Sequence, residues 1–418
     1  MEKKSNLTVI TIIAMMFLYA MISFVTNLAA PVGKIWALSN EGAENANFLG
    51  MLGNMMNFGA YLLMGIPAGK MLTKVGYKKT ALIAVAVGTI GLLIQWLSGV
   101  TASFYVYLLG AFVCGFSVCM LNTVVNPMLN LLGGGGNKGN QLNLIGGALN
   151  SLSGSLTPML VGAIIGSELA GKTITDVNPV LFMAIAVFVI VFFVIWFTPL
   201  AEPQKTDDKT VFERSPWAFR HLVLGVIAIF IYVGIEVGVP AAMISYLTPE
   251  YGFATADFVA GLYWILMLVG RTIGSAVGGK ISSKTMVTVV SATAIVLMVL
   301  AMVLTDSVKV LMPADWSFTM VELPIAAPLI VLVGLCTSVM WGCIFNMAVE
   351  GLGKYTAQAS GIFMMMVVGG GILPLIQGVV ADHFGIMTSY IVFVLGVAYI
   401  LFYAIVGSKN VNTDIKVD

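Results

Sequence analysis

A single carboxylate stands in the middle of a long apolar stretch of the chain. Glu236 lies in "FIYVGIEVGVP", residues 230–240, with a helix length of apolar sequence on either side. Counted from Arg220 it is about 16 residues in, or roughly 24 Å at 1.5 Å per residue. In a membrane span an ionised acid at that depth costs several kcal/mol unless it faces a water-filled cavity or an opposite charge. Glu236 is therefore the first candidate for binding a polar solute or a coupling cation.

Arg271 is the other charge deep inside an apolar stretch. It lies about nine residues from Lys280, roughly 14 Å from that end of its span, so the two depths differ by about 10 Å. This difference favours a Glu236 that borders a cavity over one paired directly with Arg271. The direct pair stays open as the structural alternative.

Amide and aromatic side chains recur at similar depths in the other apolar stretches. Amides pair with the adjacent hydroxyls of a sugar, and aromatic rings cover its C–H faces. An amide in a span can equally join two helices, for about 0.6 to 2 kcal/mol. Together they favour a polar cavity, and the candidate substrate ligands beside Glu236 are Asn27, Asn54, Asn57, Asn122, Asn126, Asn143, Asn150, Gln377, Tyr232 and Trp264.

The composition indicates which elements carry these residues. Hydrophobic residues make up 59% of the 418 positions and charged residues only 9%, with a mean hydropathy of +1.00. A soluble domain would be about a quarter charged, whereas the apolar runs here are long enough to cross a bilayer core of about 30 Å. The sequence predicts an all-α polytopic membrane protein. Its first run, from about Val9 to Val32, is too long for a signal peptide and is expected to be an uncleaved span.

A window of about 19 residues predicts twelve transmembrane helices. Their centres fall near residues 20, 60, 89, 117, 153, 188, 232, 268, 294, 337, 370 and 396. The polar stretch "AEPQKTDDKTVFERSPW", residues 201–217, separates six spans from six. We therefore expect an N-terminal six-helix bundle in residues 1–200, a cytoplasmic linker in 201–217 and a C-terminal six-helix bundle in 218–418.

Positive charges are distributed unequally between the predicted loops. With the N-terminus inside, the outer loops hold only Lys34, Lys172 and Lys309, and the other loop lysines and arginines are inside. Because positive residues concentrate in cytoplasmic loops, we expect both termini to be cytoplasmic and the protein to lie in the cytoplasmic (inner) membrane.

The two halves of the sequence echo each other. "GKMLTK" at residues 69–74 is matched by "GKISSK" at 279–284, and Pro158 and Gly162 are matched by Pro374 and Gly378. Parallel six-span repeats are typical of transporters that rock two bundles around a midplane site. The fold class predicted is therefore two six-helix pseudo-repeat bundles.

The loop "PAGKMLTKVGYKKT", residues 67–80, resembles the loop signature of the major facilitator superfamily. The matching positions are Gly69, Lys74, Gly76, Lys78 and Lys79, while Thr73 stands where that signature has an acid that latches the bundles. Four longer stretches resemble the fucose–galactose–proton symporter family: 58–79, "NPMLNLLG" (126–133), "YWILMLVGRTIGSAVGGKIS" (263–282, which includes Arg271) and 351–378. The resemblance implies the major facilitator fold and monosaccharide transport, and "YVGIEV" around Glu236 is similar to the branch that carries glucose and galactose.

Three departures from that resemblance concern the coupling ion. Asn27 and Asn122 align with positions where fucose-symporter-like members carry acids, and neither amide can take a proton. "NLIGGALN", residues 143–150, keeps Asn143 and Asn150 but loses a glutamine of the family pattern. If a proton is used, Glu236 is the expected carrier, since burial favours its neutral form. Coupling to Na⁺ and uncoupled facilitation stay open.

Other function classes have less support in the sequence. An efflux carrier for amphipathic compounds is the alternative within transport, although the amide-rich spans argue against it. An enzyme would need paired histidines, a carboxylate cluster or an activated nucleophile, and none is visible. We expect no cofactor beyond a coupling H⁺ or Na⁺, no metal site, no nucleic-acid partner, and a monomer in the lipid bilayer. Cys114, Cys119, Cys336 and Cys343 all lie inside spans as packing residues.

Overall fold

Long apolar helices make up most of the computed structural model, which describes residues 2–39, 46–165, 174–200, 212–305, 307–412 and 415–417. Five helices cover the first half of the chain: α1 (Glu2–Ser39), α2 (Ala46–Thr101), α3 (Phe104–Leu132), α4 (Gly136–Ile165) and α5 (Asn178–Phe197). Helix α2 is interrupted at Gly76, whose φ of 83° and ψ of 174° are not helical. Only glycine adopts such a conformation without strain, so α2 makes two crossings joined by a sharp turn.

The second half begins with three long helices, α6 (Arg220–Tyr251), α7 (Phe253–Val277) and α8 (Ser283–Leu304). Its remaining spans are divided into shorter pieces. Helices α9 (Ala326–Thr337) and α10 (Met340–Val349) form one crossing, and α11 (Thr356–Met365) and α12 (Gly369–Phe384) form the next, with a tight turn at Met366–Val368 between them. The last crossing consists of α13 (Ile386–Ser389), α14 (Ile391–Phe402) and a wider helical turn at Tyr403–Gly407.

Ten stretches of the described residues are long and apolar enough to span a membrane. One of them, Met55–Thr101, contains both arms of α2, and the 30-residue α4 is not among the ten. Each of the twelve predicted centres falls inside a helix. The predicted all-α polytopic fold is therefore confirmed.

A β-hairpin between α8 and α9 was not predicted. Strands β1 (Lys309–Pro313) and β2 (Met320–Pro324) pair antiparallel, with Lys309 opposite Pro324. At its tip the backbone N–H groups of Thr319 and Ser317 donate to the Asp315 carboxylate, which lowers the pKa of Asp315. Lys309 Nζ lies 2.9 Å from Glu250 Oε1 at the end of α6. We call this end of the molecule the hairpin face.

The opposite end is called the lysine face here. It contains the Gly76 turn, the α3–α4 turn at 133–135 and the α7–α8 turn at 278–282. At this face Lys78 Nζ donates to the carbonyl oxygens of Trp196 and Thr198, at 2.9 and 2.8 Å. A lysine at a helix C-terminus satisfies carbonyls that have no partner in the helix. Lys78, predicted as part of the loop signature, thus joins the α2 turn to the end of α5.

Within each half the helices pack mainly on one another, and the halves meet chiefly through α2 with α11 and α4 with α7. The division into residues 1–200, 201–217 and 218–418 stays a prediction, because linker residues 201–211 lie outside the described part of the structure.

Glycines bring the backbones of α2 and α11 into direct contact near the lysine face. A Cβ at Gly361 would lie 2.4 Å from the Gly65 carbonyl oxygen and 2.7 Å from Gly69 Cα. Small residues permit such close approach between membrane helices. Gly69, predicted as a loop-signature residue, therefore also forms this crossing.

We expect Gly361→Ala to destabilise the protein by about 1 to 3 kcal/mol, the usual effect of overpacking. The added methyl group would meet backbone atoms, which cannot turn aside as a side chain can. The measurement is unfolding of the purified variant in detergent micelles. Gly371→Ala is the matched control, because a Cβ at Gly371 meets no atom within 4 Å. Equal stability of the two variants would contradict the crossing.

Candidate functional site

Glu236 and Arg271 form an ion pair between α6 and α7. Arg271 Nη2 lies 2.8 Å from Glu236 Oε1, and the two side chains are only 10% and 15% exposed, respectively. The expectation that their depths keep them apart was wrong. A count of residues from each loop measures depth only for untilted helices that begin at one level, and an arginine side chain reaches several Å along its helix.

Arg271 also binds the other half of the molecule. Its Nη1 donates to the Gly147 carbonyl oxygen at 3.1 Å and to Ser151 Oγ at 2.7 Å, both on α4. Its Nε donates to the Ser338 carbonyl oxygen at 3.3 Å, within its own half. The guanidinium therefore connects the Glu236 carboxylate to α4. The contact with α4 was not expected from the sequence, which considered Arg271 as a partner of Glu236 and as part of a family-like stretch.

Aromatic rings cover one side of the pair. Tyr232 is fully buried one turn before Glu236 and interacts electrostatically with both charged groups. The Tyr232 ring centroid lies 6.3 Å from that of Trp341 on α10, and Trp341 lies 6.1 Å from Phe363 on α11. The predicted site residue Tyr232 thus lies beside Glu236 in a wall of aromatic side chains.

Asn126 receives hydrogen bonds from both halves. Its Oδ1 accepts from the hydroxyl of Tyr19 on α1 and from Trp341 Nε1 at 3.1 Å. Its Nδ2 donates to the Asn122 carbonyl oxygen at 2.8 Å, and Asn122 Nδ2 donates to the Tyr61 hydroxyl at 2.9 Å. The predicted pair Asn122 and Asn126 therefore belongs to one polar network on α3, which Trp341 connects to the second half.

Two other predicted amides are buried with incomplete hydrogen bonding. Asn143 is 1% exposed and Asn57 is 5% exposed. Neither amide atom of Asn143, nor Oδ1 of Asn57, has a hydrogen-bond partner among the residues that the structure describes. Buried amides left unpaired are costly and uncommon in native proteins. Their free donor and acceptor atoms could pair with the hydroxyl groups of a bound solute.

Of the remaining predicted residues, Asn150 contacts the network only through the backbone of Tyr19, and the described contacts of Gln377 and Trp264 lie outside it. Asn150 Nδ2 donates to the Tyr19 carbonyl oxygen at 2.9 Å, and Gln377 Nε2 donates to Ser389 Oγ at 2.6 Å. Trp264 is 40% exposed and stands edge-on to Tyr263. The side chains of Asn27 and Asn54 lie outside the described residues. For these five, a role in binding stays a prediction.

Four residues of the network were missed in the sequence: Tyr19, Tyr61, Ser151 and Trp341. Trp341 carried a usable signal. Membrane tryptophans concentrate at the two interfaces, and a buried indole N–H usually finds an acceptor. A tryptophan well inside a span therefore indicates a polar partner there.

Comparisons with known proteins agree with this fold. The family model described as Major Facilitator Superfamily matches residues 11–373. A glucose/galactose transporter of Brucella abortus biovar 1 (strain 9-941) is 32% identical over 367 residues, covering 84% of this chain and 84% of that protein. The L-fucose-proton symporter of Escherichia coli (strain K12) is 22% identical over 422 residues, covering 94% and 91%. The crystal structure of the transporter FucP in the outward conformation is similar in fold, with a TM-score of 0.76 and 19% identity, covering 93% of this chain and 97% of that one.

Proposed function

Because the chain belongs to the Major Facilitator Superfamily, we propose that it carries a neutral monosaccharide through the membrane, in a site formed by both halves around Glu236 and Arg271. It is a transporter and not an enzyme. Parallel six-span halves work by rocking around a fixed midplane site. Glu236 lies about midway along α6, and its partner Arg271 is hydrogen-bonded to α4 of the other half, while Trp341 is bonded to Asn126 of α3.

The unpaired buried amide of Asn143 is the observation that carries the sugar assignment. A hexose presents adjacent hydroxyls that donate and accept together, as the two atoms of an amide do. The Oδ1 atom of Asn57 offers a further acceptor, and the rings of Tyr232 and Trp341 offer apolar faces. The 32% identical relative is named a glucose/galactose transporter, which supports a hexose as the substrate.

The charges of the site support a neutral substrate. Glu236 and Arg271 neutralise each other at 2.8 Å, and the guanidinium is further occupied by Ser338, Gly147 and Ser151. A charged sugar would have to displace these partners, because a buried charge requires its own compensation. A neutral sugar needs only hydrogen bonds.

Glu236 is proposed to carry the coupling proton. A proton on Glu236 would remove the negative charge that holds Arg271, and Arg271 is bound to Gly147 and Ser151 of the other half. Protonation would thereby loosen a contact between the halves. The L-fucose-proton symporter is a relative across most of the chain, which favours H⁺ over Na⁺. The coupling ion is the only cofactor proposed.

The lysine face is proposed to be cytoplasmic, since it carries most of the loop lysines and arginines. Both termini then lie inside, and the protein lies as a monomer in the lipid bilayer of the cytoplasmic membrane. The described contacts at the lysine face join the two halves there, and under this proposal that face is the cytoplasmic side.

Uptake into proteoliposomes tests the substrate. With an inward proton gradient we expect radiolabelled glucose or galactose to accumulate above the external concentration, and an inward Na⁺ gradient alone to have no such effect. Mannitol and protein-free liposomes are the controls. Gradient-independent equilibration would indicate a facilitator. If glucose, galactose and fucose all fail to enter, the sugar assignment is wrong and an efflux carrier becomes the leading interpretation.

A further inference from the structure

Polar side chains join the two halves at the lysine face, beside the glycine crossing of α2 and α11. Asn130, near the end of α3, donates from Nδ2 to Oδ1 of Asn346 on α10, at 2.6 Å. Asn346 Nδ2 donates in turn to Oγ of Ser283, at the start of α8, at 2.8 Å. All three residues are at most 5% exposed. The amide of Asn130 in the first half is therefore connected to two helices of the second.

A second contact lies next to this pair. Asn140 on α4 donates from Nδ2 to Sγ of Cys343, which lies one turn before Asn346, at 3.5 Å. Gln141 Nε2 donates to the Ser275 carbonyl oxygen on α7, at 3.0 Å. Both bonds again run from the first half to the second. Helices α3 and α4 of the first half are thus hydrogen-bonded to α7 and α10 of the second half. These bonds must break if the halves separate.

All of these groups are uncharged. Thr73, which stands where the loop signature has an acid, donates from Oγ1 to the Lys70 carbonyl oxygen in its own helix, at 2.8 Å. The Asn130–Asn346 bond lies at the interface between the halves and joins them without any charged group. Neutral amides lose less solvation than charges when they are buried, so this contact can form and break repeatedly.

We propose that Asn130 and Asn346 are positioning residues that form a neutral amide latch holding the cytoplasmic side of the transporter closed. The inference rests on the proposed function, because a latch is meaningful only if the halves rock. It goes beyond that function, since neither residue touches the proposed sugar site. Breaking the amide bond should shift the population toward the conformation that is open at the lysine face.

Cys343 provides a reporter for this opening. Its thiol is fully buried against Asn140 of the other half, and it becomes reachable when α4 and α10 separate. The other cysteines, Cys114, Cys119 and Cys336, are free and can be replaced by alanine. The rate at which N-ethylmaleimide labels Cys343 in the purified protein then measures opening without any sugar or gradient.

In the variant that keeps Cys343 as its only cysteine, we expect Asn130→Ala and Asn346→Ala each to raise the labelling rate by about tenfold. This factor corresponds to the loss of one buried hydrogen bond from the closed conformation. The double alanine variant should label about as fast as either single variant, and well below the product of the two effects, because both changes break the same bond. Asn130→Asp with Asn346→Asp keeps the side-chain size. In this double Asp variant Cys343 should be labelled faster than in the parent protein at pH 8, because the two carboxylates repel each other when the halves close.

Ser117→Ala is the matched control. Ser117 Oγ donates to the Ala84 carbonyl oxygen at 2.6 Å, a buried bond that lies entirely within the first half. Its loss should leave the labelling of Cys343 unchanged. Each variant is accepted only if it elutes from a size-exclusion column as a single species of unchanged size. If an alanine variant does not fold, the Asn130→Asp, Asn346→Asp variant is used in its place.

Labelling of the Asn130 and Asn346 variants at the rate of the Ser117 control would overturn the latch. If Cys343 is labelled faster in these variants but the protein moves no sugar, the latch is supported and only the substrate assignment is wrong. Unchanged labelling in a protein that accumulates sugar would refute the latch while leaving the transport function intact.

Discussion

Glu236→Gln is expected to abolish gradient-driven accumulation of sugar while leaving exchange of labelled for unlabelled sugar intact. Glutamine keeps the size and a hydrogen-bonding oxygen of the side chain but cannot take up or release a proton. Arg271 can still donate to that oxygen, as it does to Glu236 Oε1 at 2.8 Å in the structure. The substrate site then persists, whereas the step that links the proton to movement of the halves is lost.

Uptake and counterflow in the same proteoliposomes separate these two activities. We expect accumulation to fall at least 100-fold, to the level of protein-free liposomes, and counterflow to stay within about threefold of wild type, a difference worth less than about 1 kcal/mol. Glu250→Gln is the control, because Glu250 is an exposed acid at the end of the same helix. Accumulation by Glu236→Gln at the wild-type level would remove Glu236 from coupling.

Arg271→Ala is expected to destabilise the protein by about 3 to 5 kcal/mol, the usual cost of removing one member of a buried ion pair. The change leaves the Glu236 carboxylate without its partner and also removes the bonds to Ser338, Gly147 and Ser151. Titration with a denaturing detergent in mixed micelles measures the loss.

A double variant separates the charge from the other contacts. Glu236→Ala with Arg271→Ala leaves no unpaired charge, so it should be more stable than Arg271→Ala alone. Lys309→Ala is the control, because it breaks an exposed ion pair and leaves the buried one intact. The Lys309–Glu250 pair is exposed at the hairpin face, where such pairs contribute little, and no measurable change is expected. A double variant less stable than Arg271→Ala would show that the unpaired charge is not the cause.

Much of the fold could be predicted because membrane spans are specified by length and apolarity alone. Where two spans follow each other without an intervening loop, as at Gly76, a glycine and a cluster of lysines mark the boundary between them. The β-hairpin at Lys309–Pro324 was missed because it lies in a connection, where hydropathy carries no information about strand pairing.

The residue types of the candidate site could be chosen from the sequence, whereas their contacts could not. Glu236, Tyr232, Asn122 and Asn126 were chosen for chemistry that is rare in a span, and the structure places each in a polar or aromatic contact network. Sequence could not predict the partner of each group, because that depends on helix tilt and on which faces meet. The Glu236–Arg271 pair shows this, since a linear count of depth argued against it.

The Gly65–Gly361 crossing has a mechanical consequence. The nearest atoms to a Cβ at either glycine belong to the main chain of the other helix, so no rotamer change can absorb a small misfit between α2 and α11. Closely packed interfaces of this kind have discrete arrangements and do not deform continuously. The crossing therefore acts as a hard stop that fixes how far the two halves can tilt toward each other, and partial closure is not a stable position.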